Sequence, residues 1–184
     1  MLSLNFTPFP ELGSQRLQLT RLALTDANAI YRLRSDERVN RYLNRNKCSS
    51  IEEAKGFINR ISRIVANNES IYWAIRSRET DELVGTVCLW NIQPENYRAD
   101  VGYELNPDFW GKGIMSEALP VVTGYGFNTL GLHSIAAEVD PSNAQSVLLL
   151  ERVGFVKEGH LKESDFYNGK FNDRAIYSLL RSVE

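Results

Sequence analysis

Apolar residues recur along this chain with two periods, and the segments they mark predict alternating strands and helices. A period of two marks strands at 16–21, where Leu17 and Leu19 stand against polar neighbours, and at Ile71, Trp73 and Ile75. It returns at 83–90, beyond a polar turn at 78–82, and at 98–105, where Ala99, Val101, Tyr103 and Leu105 oppose Asp100, Gly102 and Glu104. These segments predict a hairpin extended into a meander. A helical period follows the Thr25-Asp26-Ala27-Asn28 cap through Ile30, Tyr31 and Leu33, and a shorter polar helix is expected over 37–42. Ser50 and Glu53 form a capping box ahead of Ile51, Ala54, Ile58, Ile61 and Val65, which share one helix face.

The second half continues in the same manner. Asn106-Pro107 stops the 98–105 strand, and Gly111-Lys112-Gly113 leads into a helix to about Asn128, in which Pro120 predicts a kink or weakened hydrogen bonding. Ile135, Ala137 and Val139 mark a strand over 134–139 that ends at Asp140-Pro141. Ser142 and Gln145 form a second capping box, opening a helix through Leu148, Leu149 and Arg152 that Gly154 ends in left-handed geometry, with Phe155 packing back. Residues 155–180 hold two or three strands, with Asn168-Gly169 as a hairpin turn. The expected class is α/β or α+β, a mixed sheet with helices on both faces in one unit over 1–184.

Composition narrows the function. A chain of 184 residues with a net charge of −2 and interspersed charges offers no basic field for nucleic acid and no polybasic run for a membrane surface. No leader pattern or membrane-length apolar run is present, so a cytoplasmic protein is expected. Cys48 and Cys88 lack metal-ligand spacing and form no disulfide framework. His133 and His160 stand alone, so a structural or surface role is expected for each and no metal. Cys88 could carry an acyl group covalently, but a small core residue is the ordinary role for such a cysteine.

The chemistry concentrates after the 98–105 strand. Glycines at 111 and 113 allow positive φ and a close approach of backbone amides to a ligand. At the start of a helix such amides form an anion site, although a tight strand-to-helix turn alone would need the same glycines. The triphosphate-binding pattern G-x-x-x-x-G-K-[ST] is absent. The run YELNPDFWGKGIMSEAL resembles the acyl-CoA-binding segment of the GCN5-related N-acetyltransferases, whose signature is Q/R-x-x-G-x-G/A, and its phrasing is closest to the RimJ/RimL branch. Asp108 stands at the first signature position. DPSNAQSVLLLERVGFVKEG resembles the other half of that family's cofactor site.

That resemblance implies a mostly antiparallel sheet with a splayed pair of strands, and transfer of an acetyl group from acetyl-CoA to a primary amine in a ternary complex. It implies a cofactor site at Tyr103, Leu105, Gly111, Lys112, Gly113, Ile114, Met115, Ser116, Asn143 and Ser146, with Asn143 on the pantetheine arm and Ser146 near the sulfur. Lys112 is expected to face solvent near the phosphates, and Trp110 to pack under the turn. Glu104 is the candidate base, directly or through water, against an ordinary reading as a solvated glutamate. A backbone amide of residues 103–105 would bind the oxyanion. Many relatives have a tyrosine acid where Leu150 stands, so Ser146 is the candidate donor to the thiolate. The acceptor, a protein N-terminus or a small amine, would meet residues 31–47 and the last hairpin. A monomer or homodimer is expected, and the alternative function is a non-catalytic acetyl-CoA-binding sensor or interaction module.

Overall fold

The computed structural model describes residue 2 and residues 4–181; residues 1, 3 and 182–184, which include both ends of the expected 1–184 unit, lie outside the described residues. Its strands are β1 (Leu12–Gly13), β2 (Leu17–Arg21), β3 (Ile71–Ser77), β4 (Leu83–Gln93), β5 (Arg98–Leu105), β6 (Ser134–Val139), β7 (Val156–Tyr167) and β8 (Lys170–Leu180). The helices are α1 (Ala27–Ser35), α2 (Glu37–Asn40), α3 (Ile51–Ala66), α4 (Ile114–Asn128) and α5 (Ala144–Val153). All eight strands form one sheet in the order β1-β2-β3-β4-β5-β6-β8-β7. Every neighbouring pair is antiparallel except β5 and β6. The expected mixed sheet is therefore present, and residues 155–180 supply two strands joined by Asn168 and Gly169, both at positive φ.

Strand alternation sorts the core into two layers. On one face Trp73, Val87, Val101 and Ile135 meet Ala118, Leu119 and Val122 of α4. On the other, Ala74 and Leu83 meet Ile30 of α1 and Ala54 and Ile58 of α3. The helices thus lie on both faces, as their amphipathic stripes require.

Several local expectations are corrected. Asp26 precedes α1 but makes no side-chain cap. Its carboxylate instead accepts from the Ala23 N–H at 2.8 Å and pairs with Arg76 of β3 at 2.6 Å. The polar helix α2 stops at Asn40, short of residue 42. Ser50 does cap α3, accepting from the Glu53 N–H, but the Glu53 carboxylate returns to Ser49. The expectation at Pro120 is not among these: helix α4 continues through it, and because proline has no N–H one hydrogen bond of the helix is missing there. The Ser142 box does not form, because the Ser142 N–H and hydroxyl both bond Asp140, and the cap of α5 passes to Asn143. Strand β1, two residues long, carries no periodic signal.

Candidate active site at the split between β5 and β6

Strands β5 and β6 start as neighbours and then part. Arg98 pairs with Ser134, Ala99 with Ile135 and Asp100 with Ala136, and the ladder goes no further. The Asn106 N–H, one step past β5, bonds the Val84 carbonyl of β4 at 2.9 Å. Backbone groups of a strand alternate sides, so the even-numbered amides of β5 face β4 and those of Tyr103 and Leu105 face the split. These are donors an oxyanion could use. The Trp110 indole donates to the Leu105 carbonyl on that edge at 2.9 Å. Trp110 is 38 % exposed, so it ties the turn to β5 from the surface where packing beneath the turn was expected.

The turn that follows is built to leave amides open. Gly111 and Gly113 have φ of +72° and +73°, and a Cβ added at Gly111 would meet nothing within 4 Å. Gly113 caps α4 without a side-chain bond. No described residue accepts a hydrogen bond from the N–H groups of Gly111, Lys112, Gly113, Ile114, Met115 or Ser116. Those groups and the positive end of a 15-residue helix could hold an anion such as a diphosphate. The Ile114 and Met115 side chains are buried in the core, so only their amides can serve. Asp108 is exposed and its charge acts on Arg38 of α2. Lys112 is exposed, with its Nζ 5.0 Å from the centre of the Phe109 ring.

Two residues to which the sequence pattern assigns no role, Arg16 and Glu117, brace this turn. Arg16 donates from Nη1 to the Lys112 carbonyl at 3.1 Å and from Nε to Glu117 at 2.6 Å. Glu117 also accepts from the Ser14 hydroxyl and the Arg16 N–H. Burial alone would raise the Glu117 carboxyl, but those hydrogen bonds and the Arg16 charge outweigh it and hold it below its ordinary value. The partners lie about a hundred residues apart, so no local pattern announces them.

On the α4 face of β5, the Tyr103 phenol meets the Ser146 hydroxyl of α5 at 2.5 Å, across the split. Burial pushes the Tyr103 phenol up to about 12, against the opposing effect of its hydrogen bond with Ser146. Asn143 accepts from the Ser146 N–H at 3.2 Å, which occupies its carbonyl and leaves its side-chain NH2 available. These three predicted residues therefore meet around one end of α5.

Glu104 points the opposite way. Register aligns it with Thr86 and Ala74 on the α1/α3 face. Arg34 of α1 bonds its Oε1 at 2.8 Å, and Arg45 reaches both its oxygens, Oε2 at 3.1 Å. The side chain is 12 % exposed, so the ordinary reading as a solvated glutamate is set aside. A carboxylate has about four lone-pair sites. The guanidiniums occupy three, leaving one on Oε2. Neither arginine was singled out from the sequence, because each pairs with a residue 59 or more positions away. Nearby, burial and then the Glu104 charge push the Cys88 thiol up to about 12. Only roughly 10⁻⁵ of it would be thiolate at neutral pH, which argues against an acyl-carrier role.

Comparison with known proteins bears on this geometry. A family model described as "Acetyltransferase (GNAT) domain" matches residues 16–156. The "Uncharacterized N-acetyltransferase YoaA" of Bacillus subtilis is 36 % identical over 96 % of this chain and 99 % of its own length. The "Ribosomal-protein-serine acetyltransferase" of Escherichia coli is 33 % identical over 54 % of this chain and 56 % of its length. Among solved structures, spermidine N-acetyltransferase from Vibrio cholerae in complex with CoA and spermine superposes with a TM-score of 0.80 at 27 % identity, covering 91 % of this chain and 96 % of that one.

Proposed function

The chain belongs to the GNAT acetyltransferase family, and from that premise we propose that it moves an acetyl group from acetyl-CoA to a primary amine in a ternary complex assembled through the split. The observation that carries the reading is the division of labour at β5. Tyr103 meets Ser146 on one face, Glu104 stands on the other, and unpaired amides line the edge between them. A thioester held along α4 and α5 and an amine arriving past α1 and α3 would meet at that edge.

The thioester supplies an activated acyl carbon and a sulfur leaving group. The open amides from Gly111 to Ser116 suit its diphosphate, and the Asn143 NH2 suits the amide-bearing arm. An α-amine near pKa 8 or an alkylamine near 10 must first lose a proton. Glu104 takes it through the remaining lone pair of Oε2, directly or by way of one water. The nitrogen then bonds the acyl carbon, the Tyr103 and Leu105 amides hold the oxyanion, and the C–S bond breaks as the second proton of the nitrogen passes to solvent water. Ser146 donates a hydrogen bond to the departing thiolate, with its hydroxyl set by Tyr103. A phenol at about 12 lies some 3.5 pH units above an ordinary thiol near 8.5, so full proton transfer from Tyr103 is uphill by about 5 kcal/mol. Its part is a hydrogen bond.

One observation favours a second reading, a non-catalytic acetyl-CoA-binding module: three of the four Glu104 lone-pair sites are already engaged. Release of free thiol from acetyl-CoA, followed with N-terminal peptides and small amines, separates the two. Turnover lost in Glu104→Gln with CoA binding retained supports the enzyme; CoA binding without turnover on any amine supports the module. The names of relatives offer both a ribosomal-protein serine and spermidine as acceptors, and the choice between a protein N-terminus and a small amine rests on that screen.

A further inference from the structure

The interspersed charges of the whole chain conceal a local surplus. Residues 31–66 carry nine Lys and Arg against four Asp and Glu, a surplus of five positive charges in a chain of net charge −2. Part of that charge surrounds a cavity of about 370 Å³ whose walls include Arg34, Glu53, Gly56, Phe57, Arg60 and Arg63. The Arg34 guanidinium lies 3.9 Å from the centre of the Phe57 ring and that of Arg60 lies 5.4 Å from the same centre. Two cations thus converge on one aromatic side chain. Arg34 is balanced by Glu104, but neither Arg60 nor Arg63 has a carboxylate within ion-pair distance among the described residues. The Glu53 carboxylate is held by the Ser49 N–H and hydroxyl at 2.8 Å each.

Gly56 adds an independent observation. It sits inside the 16-residue helix α3, where glycine is a poorer helix former than alanine. No packing contact requires it, because an added Cβ would meet nothing within 4 Å. Its missing side chain leaves the cavity wall bare backbone, a feature suited to close approach by a ligand.

We infer that this cavity is the acceptor subsite for an oxyanion, so that the amine acetylated at Glu104 belongs to a small molecule carrying a carboxylate or phosphate, held by Arg60 and Arg63. Resting on the proposed transferase reading, this assignment follows from Arg34, which lines the cavity and bonds Glu104. A polyamine such as spermidine would meet repulsion here.

The test has a binding arm and a kinetic arm. Inorganic phosphate titrated into the full chain saturated with CoA, which fills the amide cradle of residues 111–116, is expected to shift the arginine side-chain NMR signals of Arg60 and Arg63, and the Arg60→Gln/Arg63→Gln variant to abolish this saturable phosphate binding while CoA affinity by calorimetry is unchanged. O-phosphoethanolamine and γ-aminobutyrate represent the two oxyanion sources. At least one is expected to exceed ethanolamine and spermidine tenfold in kcat/KM, and which one identifies the source. The double variant should bring that ratio near one. Gly56→Ala should raise the unfolding temperature by about 2–4 °C yet weaken phosphate binding several-fold. No phosphate-dependent shift, a kinetic ratio unchanged in the double variant, or tighter phosphate binding in Gly56→Ala would overturn the assignment. Loss of CoA binding in the unaltered chain would instead remove the transferase reading itself.

Discussion

If Ser146 donates to the leaving thiolate and Tyr103 fixes that donor, removing either should damage the same step, and removing both should cost little more than removing Ser146. The 2.5 Å contact between the two hydroxyls sets the magnitudes. A hydrogen bond made only as charge develops is worth about 3 kcal/mol, so Ser146→Ala should slow acyl transfer by about 100-fold. Tyr103→Phe leaves the serine in place but unoriented, and a partial loss of about tenfold, or 1.4 kcal/mol, is expected. The double variant should then lie within about threefold of Ser146→Ala, a coupling of about 1 kcal/mol. Single-turnover mixing with preloaded acetyl-CoA is the suitable assay, since steady-state rates can report product release. Loss of one hydrogen bond costs about 1 kcal/mol of stability, and a shift of 2–4 °C for a chain this size leaves each variant folded at assay temperature. Rate losses that multiply in the double variant, or an unchanged single-turnover rate in Ser146→Ala, would refute the relay.

Three further outcomes follow from the same geometry. Glu104→Gln should lower kcat/KM by about 10²–10⁴ with CoA affinity retained; it should also cost about 3 kcal/mol in urea denaturation, because Arg34 and Arg45, 15 % and 21 % exposed, lose their counter-charge. Gly111→Ala places a Cβ on left-handed backbone, costing about 1–2 kcal/mol of stability; that Cβ occupies the open side of the amide cradle, so calorimetry should show CoA binding weakened at least tenfold, and unchanged affinity would count against the diphosphate site. Glu117, held below its ordinary 4.5, adds stability that is complete above that value and is lost as pH falls through its lower folded-state value; denaturation midpoints should therefore decline on acidification below about 4.5, and Glu117→Gln should flatten the decline.

What the sequence made legible was local in origin. Alternation located β5, proline and glycine located the turn beyond it, and Ser50 located the start of α3, because each signal needs only residues within a few positions. The failures involve partners that arrive from afar. Asp26 has the chemistry of a helix cap, but Arg76, fifty residues on, draws its carboxylate away. Ser142 has it too, and here a shorter-range rival, Asp140, captures the hydroxyl and hands the cap to Asn143. The same division runs through the site. The amides of the glycine turn could be anticipated because backbone conformation dictates where they point. The setting of Glu104 could not, since Arg34 and Arg45 reach it only once α1 and the segment after α2 fold over β5. A turn of open backbone amides is therefore legible in a way that a carboxylate set between distant arginines is not. If the proposed subsite holds, the acceptor is better sought through the charge that folding gathers around α3 than through any contiguous motif.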